Sequence, residues 1–180
     1  ASLFSARAGI DPPLLYMPVG HRDSVYHRGA ALFGAEVRFV GDTIADAGKA
    51  MRSDVAADLA SGRFRDLSTF FEPGRLEGKK TMGLEIYEHF GTELPRWIIY
   101  PTGGGTGLVG IWKAFAELRA LAALPDVPLP RMVAVQSSRC PPVVRSFEAG
   151  LDHVEPVKSE STLADGLDVP GAIMGHGILT

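Results

Sequence analysis

Cysteine is almost missing from this sequence. Cys140 stands alone among 180 residues, so no disulfide can close within the chain and no cysteine-based zinc cluster can be built. It reads as a small buried hydrophobe rather than a catalytic thiol. Charge of one sign is equally scarce. Lysine and arginine number 18 against 21 aspartates and glutamates, a formal net charge of −3, and no dense basic stripe is present to neutralise a nucleic-acid backbone. Nucleic acid is therefore not an expected partner. No apolar run reaches the roughly 18 residues of a membrane span, and residues 1–10 lack the basic-then-apolar profile of a secretory signal. The expectation is a soluble protein with no membrane partner, most simply cytoplasmic. The histidines His21, His27, His89, His153 and His176 show no metal-binding spacing, so no metal site is expected.

What is present is enough to build a core. Hydrophobic residues make up 46% and charged residues 22% of the chain, the balance of a globular protein of one large domain or two small ones. Segments alternate in type. Leu14–Met17 and Glu36–Val40 are short apolar or β-branched runs closed by Pro18 and by Gly41 with Asp42, and each predicts a strand. Near-helical spacing predicts helices over 1–9, over 25–33, and from Asp42 to the stop at Ser61 and Gly62. Residues 63–80 read as a polar, turn-rich connection holding Pro73, Gly74 and Gly78, followed by a helix over 81–90. Trp97, Ile98, Ile99 and Tyr100 form a continuous apolar strand, with an amphipathic helix over 108–124, a strand over 132–136 and a helix over 142–149 after it. Strands separated by helices of these lengths predict an α/β fold, a parallel sheet with helices on both faces. The chain opens inside a helical pattern with no cap ahead of it and closes on Ile178, Leu179 and Thr180, so it reads as an interior piece of a longer protein. A sheet without its neighbours leaves edges that invite association, and a homo-oligomer such as a dimer is expected.

The chemistry-bearing feature is the run Gly103, Gly104, Gly105, Thr106 and Gly107, placed between a buried strand and a helix. With no Cβ in the way, several N–H groups can converge on one anion while the next helix presents its positive end to the same point. Thr102 and Thr106 can add hydroxyl donors. Three phosphate ligands compete. Gly105, Gly107 and Gly110 satisfy the dinucleotide spacing, but the next strand runs into Gln136, Ser137 and Ser138 where an acidic ribose ligand is required. A nucleotide P-loop needs Lys then Ser or Thr after its last glycine, where Ile111 and Trp112 stand. A smaller phosphorylated cofactor, pyridoxal 5′-phosphate first among them, is left as the leading candidate.

The stretch from Tyr100 through Pro101, Thr102, the glycine run and on to Leu118 closely resembles the phosphate-loop region of threonine synthase-like enzymes, in the second fold type of pyridoxal-phosphate proteins. Residues 72–86, and 131–136 with 142–150, agree with the same family, and weaker similarity runs over 1–40. The resemblance implies a two-domain lyase that converts O-phosphohomoserine to threonine and phosphate in amino-acid biosynthesis. It maps the cofactor phosphate onto Gly103 through Gly107, residues 1–90 onto part of a small α/β domain plus a connection, and 91–180 onto part of the large cofactor-binding domain. The family's Schiff-base lysine falls outside these residues, so none of Lys49, Lys79, Lys80, Lys113 and Lys158 is assigned that role, and the chain alone is expected to be inactive. Lys79 and Lys80 read as a solvated basic pair, with a contact to a substrate phosphate as the sharper alternative.

Other readings stay open at this point. A serine or threonine dehydratase uses the same cofactor. A non-catalytic phosphate-ligand binding module would keep the cradle without the reaction, and an NAD oxidoreductase is disfavoured by Gln136. Ser137 and Ser138 lack a nucleophile elbow around them. Asp23, Glu77, Glu85 and Asp165 show no paired carboxylate in sequence, so no general acid or base is assigned.

Overall fold

A computed structural model of the chain describes residues 1–68, 71–160, 162–172 and 175–179, without the side chains of Asp165 and His176. It divides into two compact units, residues 1–66 and 67–180. No helix among the described residues is long and apolar enough to cross a membrane.

The first unit holds α1 (Ser2–Arg7), β1 (Leu14–Met17), α2 (Val25–Leu32), β2 (Glu36–Phe39), α3 (Ile44–Asp54) and α4 (Ala56–Ala60). Strands β1 and β2 pair in parallel, Leu14 opposite Glu36 and Met17 opposite Phe39. The single helix expected after Asp42 is two. It begins one residue later than Asp42 suggests, because Thr43 and Asp46 form a capping box, and it breaks at Val55, whose φ of −110° and ψ of 22° leave the helical region.

The second unit carries α5 (Pro73–Phe90), β3 (Trp97–Pro101), α6 (Thr106–Ala120), β4 (Arg131–Val135), α7 (Pro142–Glu148) and α8 (Gly175–Leu179), with a short 3₁₀ turn at Asp165–Leu167. Strands β3 and β4 are parallel and in register from Trp97 opposite Arg131 to Pro101 opposite Val135. Alternation decides which face is covered. Ile98 and Tyr100 turn toward a core built on Ile111, Phe115 and Leu124, whereas Trp97 and Ile99 stay exposed. The fold class is thus the expected one, parallel strands flanked by helices, in two pairs.

The largest departure from expectation is the start of α5. Residues 73–80 belong to the helix rather than to a connection: Pro73 occupies its first turn, and the Glu72 carboxylate accepts the Gly74 N–H at 3.0 Å. This extra length packs on α6, and the compact units part between Asp66 and Leu67. Two glycines make the approach close. A Cβ on Gly110 would lie 2.7 Å from Cβ of Lys79, and one on Gly83 would lie 2.6 Å from Cβ of Ala114 and 2.7 Å from the Ile111 carbonyl oxygen. The helices run side by side in the same direction, since Leu76 and Lys79 meet Gly110 while the Tyr87 hydroxyl donates to the Ala123 carbonyl at 3.0 Å.

Four charges close the rim of this helix pair. Lys80 reaches Glu77 at 2.6 Å and also Glu117; Lys113 reaches Glu77 at 2.8 Å and also Glu117. Hydrogen bonds from the two lysines hold both carboxyls below their ordinary range, and bonds to the carboxylates raise both ammonium groups. A depressed carboxyl stabilises the fold above its unfolded pKa of about 4.3, and that contribution goes as pH falls through the lower folded value. A raised ammonium stabilises below about 10.4 and the contribution goes as pH rises through the higher folded value. The melting-temperature gap between the native chain and Glu117→Gln is therefore expected to be flat from roughly pH 6 to 9, to close in acid, and to shrink with salt. Thermal melts across pH and ionic strength check this.

Candidate functional site

The glycine run sits at the carboxyl end of β3, where the chain must pass from a sheet hydrogen-bonded on its β4 side into α6. Thr102 anchors that passage. It is fully buried, its N–H donates to the Val135 carbonyl at 2.8 Å, and its hydroxyl donates to the Tyr100 carbonyl at 2.8 Å. The Thr102 hydroxyl is thus committed to the backbone and is corrected from ligand donor to anchor.

Each glycine beyond it has its own physical reason. Gly105 is the N-cap of α6 in the left-handed region, φ 88° and ψ −8°, where a Cβ costs roughly 1–2 kcal/mol. Gly107 lies directly against the Tyr100 ring, and a Cβ there would overlap the phenol. Gly103 is crossed by the 3₁₀ turn, with the Gly166 carbonyl oxygen 3.2 Å and the Leu167 Cα 3.4 Å from where its Cβ would stand. Gly103, Gly104 and Thr106 are half-buried; Gly105 and Gly107 are buried.

The donors of this turn are unspent. Among the described residues no protein acceptor meets the N–H groups of Gly103, Gly104, Gly105, Thr106 and Gly107, and α6 has no side-chain cap. Half-buried amides without partners are costly to leave so. They gather at the positive end of a 15-residue helix, with the Thr106 hydroxyl in its first turn. This donor set suits a phosphate.

The dinucleotide spacing dissolves into packing. Gly107 is required by Tyr100 and Gly110 by α5, and Gln136, at the ribose position, spends its amide on Thr102 and on the N–H groups of Val143 and Val144. Lys79 and Lys80 both lie in α5, one against Gly110 and the other bound to Glu77 and Glu117. Glu77, for which no paired carboxylate was visible in sequence, binds two lysines: Lys80, three residues on in the same helix, and Lys113, which the helix pair brings beside it from 36 residues away. Cys140 is buried, and that burial, with the Asp168 carboxylate beside it, pushes its thiol upward, away from a nucleophilic thiolate. His153 faces Asp152 and Glu155 at the surface, and among the described residues no three His, Cys, Asp or Glu side chains are placed so that they could hold a metal ion together. Ser137 and Ser138 line a hollow with Arg139, Thr162 and Leu163 beyond the end of β4.

A family model described as pyridoxal-phosphate dependent enzyme matches residues 1–177. The chain belongs to that family. Its relatives include the threonine synthases of Methanosarcina acetivorans, 27% identical over 168 residues, and of Methanocaldococcus jannaschii, 28% identical over 166. These alignments take in 93% and 92% of this chain but only 40% and 39% of the relatives, so the chain spans about two fifths of their length. Among solved structures, threonine deaminase isoform 2 from Solanum lycopersicum superposes with a TM-score of 0.70 at 19% identity, over 98% of this chain and 46% of that one. Maize serine racemase gives 0.68 at 18%, over 99% and 49%. At such identities these neighbours establish the fold. The family's cofactor is pyridoxal phosphate, as the glycine run led one to expect.

Proposed function

We propose that this chain is the phosphate-loop portion of a threonine synthase-like lyase, in which Gly103, Gly104, Gly105, Thr106 and Gly107 hold the phosphate of pyridoxal 5′-phosphate. The observation that carries the reading is the set of five unpartnered N–H groups at the start of α6. When bound, the cofactor supplies an electron sink for carbanion chemistry on an amino acid. The chain's own part is to bind and orient: the amides and the Thr106 hydroxyl fix the phosphate, while Tyr100 and α5 hold the first turn of α6 in place. The choice of threonine synthase rests on the names of the curated relatives, and a dehydratase is the second reading, favoured by the threonine deaminases among the structural neighbours.

In this reading the amino-acid substrate is O-phosphohomoserine, phosphate leaves from Cγ while water adds its hydroxyl at Cβ to give threonine, and the enzyme is a cytoplasmic homo-oligomer. Lys79 is the better placed of the two lysines to meet a substrate phosphate, because Lys80 is held by two carboxylates. None of the five lysines carries the cofactor, and these 180 residues alone are expected to form no threonine from phosphohomoserine.

The cradle is tested directly by titrating the ¹⁵N-labelled chain with pyridoxine 5′-phosphate, which lacks the aldehyde that would react with surface lysines, and with pyridoxine. Amide shifts confined to 103–107 and dependent on the phosphate are expected. Shifts spread over the surface, or equal for the two ligands, would remove the assignment.

A further inference from the structure

Gln136 follows β4, and both ends of its side-chain amide are engaged. Its Oε1 accepts the N–H of Val143 at 2.8 Å and of Val144 at 3.2 Å, so the acceptor end is fixed by two donors. Its Nε2 is thereby left to donate to the Thr102 carbonyl oxygen at 3.2 Å. One residue joins the first turn of α7, where Pro141 offers no cap, to the residue that opens the glycine loop.

Peptide geometry turns that bond into a constraint. The Thr102 carbonyl and the Gly103 N–H belong to one planar trans peptide and point in opposite directions, and the described backbone has no cis bond. Thr102 is already held by its N–H on Val135 and its hydroxyl on Tyr100. With its carbonyl held as well, the plane cannot turn, and the Gly103 N–H is aimed away from Gln136.

We infer that Gln136 is a positioning residue for the cofactor-phosphate loop, fixing the Thr102–Gly103 peptide so that the first loop N–H faces the anion. The inference rests on reading residues 103–107 as a phosphate cradle. It assigns to Gln136 a task that neither a ribose ligand nor a simple helix cap would have.

Two substitutions separate the possibilities. Gln136→Glu can still accept from Val143 and Val144, and a carboxylate suits that helix end, but it offers no donor to the Thr102 carbonyl. Gln136→Met keeps the length, removes donor and acceptor, and adds no charge. The full chain, ¹⁵N-labelled, is titrated with pyridoxine 5′-phosphate and with pyridoxine, and the ligand-free spectra are compared. Both variants are expected to displace the Gly103 amide resonance without ligand and to weaken pyridoxine 5′-phosphate binding about tenfold, with pyridoxine unaffected. If Gln136→Glu fails to fold, Gln136→Met carries the test through the same readouts. Loss in the Glu variant alone would mean charge repulsion and overturn the proposal. So would native-like binding in both with an unmoved Gly103 signal. A native chain with no phosphate-dependent shift at 103–107 would instead sink the cradle reading, and the role of Gln136 with it.

Discussion

Replacing Gly83 by alanine is expected to destabilise the second unit by about 2–3 kcal/mol, although the same exchange in an open helix gains about 1 kcal/mol. The reversal comes from where the methyl group would go. It meets the Ala114 methyl at 2.6 Å and the Ile111 carbonyl oxygen at 2.7 Å, and the second of these is backbone that no rotamer change can clear. Helix α5 must lift from α6, which loosens the packing of Met82, Ile86 and Tyr87 on the Ile111, Phe115 and Leu124 core. Gly78 on the same helix is the control. Nothing lies within 4 Å of a Cβ there, so Gly78→Ala should stabilise by about 0.5–1 kcal/mol. Chemical denaturation of the two variants reads opposite signs if the seam is as tight as described; a stabilised Gly83→Ala would contradict it.

Gly105→Asp is expected to bind pyridoxine 5′-phosphate about a hundredfold more weakly than Gly105→Asn. The two side chains have nearly the same size, and both tolerate the left-handed conformation better than other residues, so their backbone and steric costs largely cancel. What differs is a negative charge set at the start of α6, against a ligand that carries up to two. Titration at low ionic strength should show the full gap and added salt should narrow it. Equal affinities would place the phosphate elsewhere.

Both positions illustrate how far residue pattern alone carries this chain. Strands β1 to β4 were legible from short apolar runs bounded by Gly, Pro or Asp, and the turn from β3 into α6 was legible from four glycines in five residues at a strand's carboxyl end. The first turns of α5 were not. Pro73, Gly74 and Gly78 are turn residues by composition, and only the Glu72 cap and the packing on α6 make them helical. Local propensity lost there to tertiary contact. The separate tasks of the glycines were hidden for a related reason. Gly105 serves a backbone angle, Gly107 an aromatic ring, and Gly83 and Gly110 a neighbouring helix, and a missing Cβ does not announce what it makes room for. Gln136 entered the sequence reading as the wrong residue for a ribose. Two of its three hydrogen bonds depend on α7 folding back beside β4 and the third on the pairing of β4 with β3, and spacing encodes neither.

Tyr100 lying on Gly107 and α5 lying on Gly110 grip the opening turn of α6 from two directions. A turn held in this way is a mould already cast before any anion arrives, so little ordering entropy is surrendered on capture. Heat-capacity and entropy changes on ligand uptake should accordingly be small, and amide exchange at Val109 and Gly110, whose N–H groups are bonded within the turn, should be slow with or without an occupant.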